Sequence, residues 1–529
     1  MDSTFPALIR ALLDPARYDH AVEKIHVVET HISWVILTGA YAYKIKKPVD
    51  LGFLDFSTLD KRRFYCEEEL RLNRRLAPSL YLDVIPITGS TAAPVLGGAG
   101  AAVEYAVKMI QFPEAARLDR LLARGELGPA HVDSLAQELA EFHGRIAVAG
   151  YDQAFGTPER VHEPVRQNFE QIRPRIQTQD RAQLRRLEIW SELTFDELRG
   201  TFEDRKFRGF IRECHGDAHL ANMIWRDGRA VLFDCLEFND NLRWIDVMSE
   251  VAFLVMDLDD RGRPELARRA LNRYLEHAGD YAGLAVFRFY QVYRALVRAK
   301  VACIRGGQSG LGDEEKEKVR EEYRGYASLA ERYTQAHRPA LVITHGLSGS
   351  GKTWLSQQLL EQLDVIRLRS DVERKRLHGL AAHERSGSGI DSGLYTAEAG
   401  RRTYARLAIL AHDILRAGQA VLVDAAFLKQ EQRRQLRAVA EQARVPFVIL
   451  DLRAADGVLR ERLRQRAREG GDASEADLAV LDHQLATREP LGHEEQVQAL
   501  TIDTGIAADI AALIERLRQR LSPSTDSSP

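Results

Sequence analysis

The amino-acid sequence predicts a multidomain protein in which an N-terminal α+β unit is followed by a C-terminal α/β unit with a parallel sheet. Two patterns predict this division. Strand-rich sequence over residues 1–112 gives way to mostly helical sequence over residues 113–337. Over residues 338–521, short apolar strands alternate with amphipathic helices, which is typical of a parallel sheet. The pattern changes at Arg338 and Pro339, so we place the boundary there.

Local composition predicts the individual elements. In the first unit they are strands at 32–37 and 40–47, a helix over 61–76, a hairpin from 84–88 and 95–110, a helix over 131–147, and short strands at 210–214 and 230–234. In the second unit, strands are predicted at 341–344, 365–369, 420–424, 447–452 and 499–503. Residues 522–529 lack apolar side chains, so a disordered tail is expected there.

Composition and charge exclude several classes of protein. The 529 residues are 45% hydrophobic and 29% charged, which argues against a mainly disordered chain. The net charge of −3 provides no overall attraction to nucleic acid or acidic membranes. The first twenty residues lack the features of a signal peptide, and the uncharged stretch 84–103 is broken by prolines and glycines. We therefore expect a soluble, cytoplasmic protein without a membrane partner.

A phosphate-binding motif follows the first predicted strand of the C-terminal unit. Residues 346–353 read GLSGSGKT and match the P-loop pattern G-x-x-x-x-G-K-[ST]. The glycines let the backbone N–H groups converge on phosphate oxygens, Lys352 would reach the β- and γ-phosphates, and the Thr353 hydroxyl would bind Mg²⁺. The motif therefore predicts a site for ATP and Mg²⁺. Its predicted nucleotide-binding residues are Gly346, Ser348, Gly349, Ser350, Gly351, Lys352 and Thr353.

Charged residues after the next predicted strand suggest an acceptor site. Asp371 is placed to orient or deprotonate an acceptor hydroxyl, and Arg374 to hold an anionic substrate. Ser370 and Glu373 could also form a capping box that simply starts a helix, and both roles can hold, because Asp371 is not needed for the cap.

Two further features belong to the same predicted site. Asp424 ends a predicted strand and is a candidate Mg²⁺ ligand; its alternative role is to cap a helix that starts near Lys429. Five arginines lie between residues 460 and 468, and Arg462 and Arg466 are one helical turn apart. They could close over the phosphates, unless they belong to an exposed basic face.

Together these residues resemble the small P-loop kinases of the polynucleotide kinase, gluconate kinase and zeta-toxin-like group. The resemblance covers residues 338–521 and implies phosphoryl transfer, with Lys352, Asp371 and Arg374 in catalytic roles. Ala425 follows Asp424 where a motor ATPase would carry its hydrolytic glutamate, which favours transfer to an acceptor over hydrolysis.

The N-terminal unit contains a second set of kinase-type residues. Residues 215–222 read HGDAHLAN, and Asp234 ends the next predicted strand. Protein kinases need a catalytic Asp, an Asn five positions later and a further metal-binding Asp, and Asp217, Asn222 and Asp234 reproduce this order. The alternative is a turn closed by side-chain hydrogen bonds from Asp217 and Asn222.

This region resembles the aminoglycoside phosphotransferase and choline kinase family, in which His-Gly-Asp replaces the His-Arg-Asp of protein kinases. The resemblance implies a bilobal kinase-like fold, with residues 1–112 as the N-lobe and residues 113–337 as the C-lobe. It further implies that Asp217 is the catalytic base and that Asn222 and Asp234 bind the metal. Asp246 is expected to brace the catalytic loop, or merely to be an acid at a helix N-terminus.

A kinase-like N-lobe should also provide a lysine paired with a helix glutamate. Lys44 in AYAYK occupies the position of the lysine in V-A-I-K, and strand alternation leaves Lys46 as a rival. Glu69 is expected to point inward from the following helix, with Glu68 as the other candidate. Residues 107–112 would form the hinge that contacts adenine.

The sequence departs from protein kinases in ways that favour a small-molecule kinase. Only Gly39 lies near Lys44 in place of a glycine-rich loop, and Cys-Leu rather than Phe-Gly follows Asp234. Cys214 is expected to be a buried structural cysteine. We therefore predict a bifunctional ATP-dependent phosphotransferase that uses Mg²⁺ at two sites and acts on small-molecule hydroxyl acceptors. The alternative is a P-loop kinase, possibly of polynucleotide 5′ ends, regulated by a pseudokinase-like N-terminal domain; nucleic acid is not the favoured partner.

Overall fold

A computed structural model describes residues 5–52, 54–307, 311–335, 338–381, 384, 396–469, 476–506 and 509–521. The chain forms two compact units. The first takes its described residues from 1–138, 142–164 and 202–257, and the second from 139–141, 165–201 and 258–529. The helices that follow residue 258 thus lie in the same unit as the P-loop, whereas the predicted boundary at residue 338 stays a prediction. The predicted tail, 522–529, lies outside the described residues.

The N-terminal part is built on an antiparallel sheet, in the order β1-β2-β3-β6-β4-β5. Its strands are β1 (His26–Glu29), β2 (Ser33–Leu37), β3 (Tyr41–Lys46), β4 (Tyr81–Gly89), β5 (Pro94–Leu96) and β6 (Ala102–Ile110). Helix α2 (Leu59–Asn73) packs on β4 and β6. The strands predicted at 32–37 and 40–47 are confirmed. Strand β1 was not predicted, because its residues are mostly exposed and lack an apolar alternation.

Short strands frame the predicted catalytic loop. They are β7 (Ile211–Glu213), β8 (Met223–Arg226), β9 (Arg229–Leu232) and β10 (Trp244–Asp246), paired as β10-β7 and β8-β9. The helices up to this region and just after it are α1 (Ala7–Ala11), α2 (Leu59–Asn73), α3 (Leu118–Ala123), α4 (Pro129–Arg145), α5 (Pro158–Ile172), α6 (Arg181–Phe207), α7 (Asp240–Arg243) and α8 (Val247–Asp260). The loop between β7 and β8 carries HGDAHLAN, and Asp234 follows β9, so the topology brings them to one place.

The rest of the second unit is a helical segment followed by a parallel sheet. The helical segment contains α9 (Pro264–Ala278), α10 (Leu284–Gly306) and α11 (Asp313–Thr334). The sheet, in the order β12-β13-β11-β14-β15, consists of β11 (Leu341–His345), β12 (Val365–Arg369), β13 (Ala420–Asp424), β14 (Phe447–Arg453) and β15 (Ala499–Asp503). All five predicted strands are confirmed. Because the strands are parallel, their carboxyl ends meet at one edge of the sheet.

Helices surround this sheet and bury its apolar faces. They are α12 (Lys352–Gln362), α13 (Ser370–Leu377), α14 (Ala397–Arg416), α15 (Gln430–Ala443), α16 (Asp456–Glu469), α17 (Leu478–Thr487), α18 (His493–Gln498) and α19 (Ile510–Leu521). One core cluster joins α12 and α19 to the strands, with Leu355, Leu359 and Leu450 almost fully buried. Among the residues that the structure describes, no helix is both long enough and apolar enough to span a bilayer.

Candidate active sites

The loop between β11 and α12 can only be built with glycine at its key positions. Gly346 and Gly349 have φ angles of +153° and +82°. A Cβ atom at Gly346 would lie 2.6 Å from the carbonyl oxygen of Leu452, and one at Gly349 would lie 2.8 Å from that of Leu459. The loop therefore packs directly against the backbone of β14 and α16, which fixes its curled shape.

A cavity of about 300 Å³ opens beside this loop. Most of the residues predicted for the site line it, together with Trp354, Arg369, Tyr404 and Gln484. The predicted residues among its lining are Ser348, Gly349, Gly351, Lys352, Thr353, Asp371, Arg374, Asp424, Arg462 and Arg466. Gly346 and Ser350 do not line it. The Ser350 hydroxyl is buried and has no hydrogen-bond partner among the described residues.

Backbone carbonyl groups of the loop hold the side chain of Lys352 in place. Its Nζ donates hydrogen bonds to the carbonyl oxygens of Gly346 (3.0 Å) and Leu347 (2.8 Å). Burial lowers the pKa of Lys352 to about 8, although the charges of Asp424 and Asp371 act in the opposite direction. The ammonium group therefore lies in a site where a bound anion would stabilise its charge.

Asp371 and Arg374 form an ion pair on α13, with Arg374 Nη1 2.8 Å from Asp371 Oδ1. The capping-box alternative is wrong, because Ser370 is already the first residue of the helix and no side chain caps α13. Glu373 instead contacts Arg376. Asp371 and Arg374 both line the cavity, where they remain paired with each other.

Asp424 ends β13 and is almost fully buried. The Ser356 hydroxyl oxygen lies within hydrogen-bond distance, 3.1 Å, of its Oδ2, and Arg369 Nε lies 3.9 Å from the same oxygen. The alternative role as a helix cap is wrong, because α15 begins at Gln430 with Lys429 in the capping position.

Arg462 and Arg466 differ from the other arginines of α16. Arg462 donates to the carbonyl oxygens of Gly349 (3.3 Å) and Thr504 (2.5 Å), and Arg466 donates to that of Ala476. Both line the cavity. The exposed basic face therefore does not include these two residues.

In the first unit, the catalytic-loop residues lie together. The side-chain amide of Asn222 donates to Asp217 Oδ2 at 2.9 Å, and His219 Nε2 lies 3.3 Å from the same oxygen. The backbone N–H of Phe233 donates to the Asn222 carbonyl oxygen at 3.0 Å, which brings Asp234 beside the loop. Asp234 has a φ angle of +63°, which is uncommon for a residue other than glycine.

Lys44 contacts its expected partner Glu69 and also the predicted metal ligand Asp234. Its Nζ lies 2.8 Å from Glu69 Oε1 and 2.5 Å from Asp234 Oδ1. Burial would lower the pKa of Lys44, but the charges of Asp234 and Glu69 outweigh it and hold that pKa well above its usual value. Glu69 is fully buried, whereas Glu68 pairs with Arg71 at 2.9 Å. The structure thus brings together the lysine and glutamate that sequence order suggested.

Lys46 is a second lysine in the same cluster, rather than an excluded rival. It is fully buried and contacts both Glu69 (2.7 Å) and Glu237. Burial raises the pKa of Glu69, but Lys44 and Lys46 outweigh it and bring that pKa to about 2. Sequence reasoning missed Glu237. Its position three residues after Asp234 was the available signal.

The brace of the catalytic loop is Glu250, so the expectation that Asp246 braces it was wrong. The alternative for Asp246, an acid at a helix N-terminus, is confirmed, because its Oδ1 accepts from the backbone N–H of Met248 (2.9 Å) at the start of α8. Glu250 accepts hydrogen bonds from the backbone N–H groups of His215 (3.2 Å) and Gly216 (2.6 Å), and lies 2.9 Å from His143 Nε2. Asp246 instead forms a buried bidentate pair with Arg205. The signal for Glu250 was an acidic residue inside the apolar run VMSEVAFL, since such a charge is buried only when it is paired.

Three remaining predictions concern Gly39, Cys214 and the hinge. Gly39 lies in the β2–β3 turn with φ +94°, whereas the β1–β2 turn, Thr30–Ile32, contains no glycine.

Cys214 is buried, as predicted. Its sulfur, His143 and Glu250 place donor atoms within 4.8 Å of one another, and both Glu250 oxygens accept hydrogen bonds from loop N–H groups. Residues 107–112 end β6 and continue past it, and their contact with adenine stays a prediction.

Comparison with known proteins places this chain. Uncharacterized proteins from Mycobacterium tuberculosis and Mycobacterium bovis are 30% identical to it over 461 residues, covering 86% of this chain and 89% of theirs. The chain belongs to their family. Residues 63–289 match the phosphotransferase enzyme family, and residues 341–491 match the AAA domain family. The predicted fusion of a kinase-like phosphotransferase domain with a P-loop kinase-like domain is therefore confirmed, and these domains support phosphotransferase activity.

Solved structures also resemble parts of the chain. An amicoumacin kinase, in complex with AMP-PNP, Ca²⁺ and its ligand, is 12% identical, with a TM-score of 0.39 over 61% of this chain and 92% of that chain. A choline/ethanolamine kinase family protein from Mesorhizobium loti is 10% identical, with a TM-score of 0.35 over 62% and 98%. A gluconokinase from Sinorhizobium meliloti is 21% identical, with a TM-score of 0.24 over 35% and 91%.

Proposed function

We propose that the protein is a bifunctional ATP-dependent phosphotransferase with two separate Mg-ATP sites. Each site would transfer the γ-phosphate to the hydroxyl group of a small-molecule acceptor, in the cytoplasm. The observation that supports this most is that each unit gathers a complete set of groups: a lysine for phosphate, oxygen ligands for a metal, and a carboxylate for the acceptor. Phosphoryl transfer depends mainly on positioning and charge neutralisation, which such a set provides.

In the P-loop site, the loop N–H groups and Lys352 would hold the β- and γ-phosphates. Thr353 and Asp424 would hold Mg²⁺, a cation that prefers oxygen ligands. Asp371 would orient the acceptor hydroxyl and accept its proton, while its ion pair with Arg374 fixes the position of the carboxylate. Arg462 and Arg466, which line the cavity, would neutralise charge on the transferred group.

In the kinase-like site, Asp217 would act as the base, and Asn222 and Asp234 would hold Mg²⁺. Glu69 aims the Lys44 ammonium group toward Asp234, where the nucleotide phosphates would arrive beside the metal. Metal binding would exchange the Lys44 contact of Asp234 for a Mg²⁺ contact. Lys44 would then be available for phosphate oxygens.

A second candidate function is a nucleotide-sensing N-terminal domain that regulates the P-loop kinase. One observation favours it: the β1–β2 turn, which would cover the phosphates in a kinase N-lobe, contains no glycine. Weaker binding of the nucleotide phosphates suits a sensor better than a catalyst. In that case the P-loop site alone would transfer phosphate, and a polynucleotide 5′ end is one acceptor to test.

An acceptor screen with γ-labelled ATP tests these proposals. The full chain would be offered aminoglycosides, sugars, amino alcohols, nucleosides and a 5′-hydroxyl oligonucleotide. We expect Asp217→Ala to remove one acceptor activity and Lys352→Ala another, while the exposed controls Asp60→Ala and Lys318→Ala remove neither. Full activity on every acceptor in Asp217→Ala would favour the sensor, and label on the oligonucleotide would favour the polynucleotide kinase.

A further inference from the structure

Helix α9 protects an edge of the P-loop sheet. Within the described part of the chain, strand β12 is an edge strand that pairs with β13 alone. The side chain of Asn272 on α9 accepts from the backbone N–H of Arg367 (2.7 Å) and donates to the carbonyl oxygen of Val365 (3.1 Å). One amide thus makes both bonds that a neighbouring strand would make with this stretch of β12. Asn272 is 2% exposed, so this pairing is shielded from water.

A buried chain of contacts continues from α9 toward the cavity. Glu276, one turn after Asn272, lies 2.7 Å from Arg367 Nη2 and accepts from its Nε at 2.9 Å. Arg367 Nη1 donates to the Ser356 hydroxyl at 3.4 Å, and the oxygen of that hydroxyl lies within hydrogen-bond distance, 3.1 Å, of Asp424 Oδ2. The path therefore ends on the carboxylate that is the candidate Mg²⁺ ligand.

The same helix also holds the acceptor side of the site. Arg376 on α13 donates to the backbone carbonyl oxygen of Glu276 and contacts Glu373. Asp371 and Arg374 lie on α13 as well. Helix α9 falls within the residues matched by the phosphotransferase family, 63–289, yet it contacts strand β12 and helices α12 and α13 of the P-loop part.

We propose that Asn272, Glu276 and Arg367 are positioning residues for the P-loop site, and that they set its Mg²⁺ affinity by controlling the hydrogen bonding of Asp424. The inference rests on the proposed role of Asp424 as a metal ligand. It adds that helix α9, which belongs to the segment matched by the phosphotransferase family, helps to position the groups of the P-loop kinase site.

The physical reason is a balance of charge around Arg367. A buried guanidinium must have an anionic partner, and Glu276 is that partner. The hydrogen bond from Arg367 uses one lone pair of the Ser356 hydroxyl oxygen. The single proton of this hydroxyl can then be donated to one of two acceptors, Asp424 or the carbonyl oxygen of Thr353 at 3.0 Å. Without Glu276, Asp424 becomes the nearest available anion on this path, and Arg367 would compete with Mg²⁺ for it.

The test measures Mg²⁺ affinity in the full chain, because a merely structural role would not change it selectively. Trp354 lines the cavity and is 52% exposed, so its fluorescence should change when AMP-PNP binds. The part of the fluorescence change that disappears in Trp354→Phe therefore reports on this site. Glu276→Gln removes the anion that holds Arg367 rather than a direct partner of Asp424. We therefore expect it to raise the Mg²⁺ concentration at the midpoint of the fluorescence titration by up to about tenfold, the lower end of the effect of losing an outer-shell partner of a metal ligand. ADP binding in EDTA should change by less than about twofold.

A control and a second variant make the result decisive. Glu265→Gln, an acid on the same helix that pairs with Arg263 and is 34% exposed, should leave the midpoint unchanged. Ser356→Ala breaks the path without removing a charge, and it should raise the midpoint even if Glu276→Gln does not fold. An unchanged midpoint in Ser356→Ala and in any folded Glu276→Gln protein overturns the inference. A wild-type signal that is independent of Mg²⁺ or persists in Lys352→Ala overturns the proposed P-loop function as well.

Discussion

Nucleotide binding at the P-loop site should depend on pH between 7 and 9, whereas binding at the kinase-like site should not. The pKa of Lys352 is lowered to about 8 by burial, whereas the anions around Lys44 hold its pKa well above the usual value. Raising the pH from 7 to 9 would reduce the protonated fraction of Lys352 from about nine tenths to about one tenth. If bound phosphate requires the ammonium form, the nucleotide dissociation constant of the P-loop site should rise about tenfold over this range.

The direction of this pH dependence follows from whether the free or the nucleotide-bound protein holds the Lys352 proton more tightly. Nucleotide phosphates raise the pKa of Lys352, so binding above pH 8 must take up a proton from solution. Affinity is therefore full below the pKa of the free protein and is lost as the pH rises through it. Lys44 remains charged throughout, so the kinase-like site should bind ATP equally well at pH 7 and pH 9.

Each site can be followed separately. Trp354 fluorescence reports AMP-PNP binding in the P-loop cavity, and calorimetry on Lys352→Ala reports binding at the kinase-like site. In Lys352→Arg the guanidinium stays protonated, so its affinity should not depend on pH. If the wild-type affinity of the P-loop site changes by less than about twofold while binding still depends on Lys352, burial has not lowered its pKa.

Two further substitutions test the structural reasoning. Gly346→Ala should abolish P-loop nucleotide binding, because its Cβ would lie 2.6 Å from the Leu452 carbonyl oxygen, and calorimetry measures the loss. The control Gly457→Ala, in helix α16 with no atom within 4 Å of the new Cβ, should stabilise the protein by roughly 0.5–1 kcal/mol in urea unfolding. Glu250→Gln should destabilise it by about 3 kcal/mol at pH 7, since a buried anion loses its charge among its donors. Because the pKa of Glu250 is lowered to about 2 in the fold, that difference should narrow as the pH falls from 5 to 3; a constant difference would contradict this explanation.

The P-loop sheet could be predicted almost residue by residue from sequence. The five predicted strands agree with the observed ones to within one residue at each end. Each is a short apolar run bounded by polar sequence, and the GKT motif marks where β11 ends and α12 begins. Such signals are local, so they survive without knowledge of the tertiary structure.

The kinase-like site shows where local patterns stop being sufficient. Strand alternation placed Lys44 and Lys46 on one side, and both do contact Glu69. Alternation could not show that Glu237, which lies 191 residues beyond Lys46, completes the cluster. Similarly, Asp246 and Glu250 are one helical turn apart, and only the fold determines which of them meets the loop N–H groups.

Helix α9 is the clearest case of a role that is absent from local sequence. Its residues form an ordinary amphipathic helix, and Asn272 and Glu276 would be assigned to a polar face. Both are in fact buried, because their partners Val365 and Arg367 lie on the unpaired edge of β12. A parallel sheet leaves that edge with unmatched backbone groups, so some element had to cover it, and nothing in the pattern of β12 identifies which. The boundary drawn at the change of sequence pattern therefore separates α9 from the strand whose edge it covers.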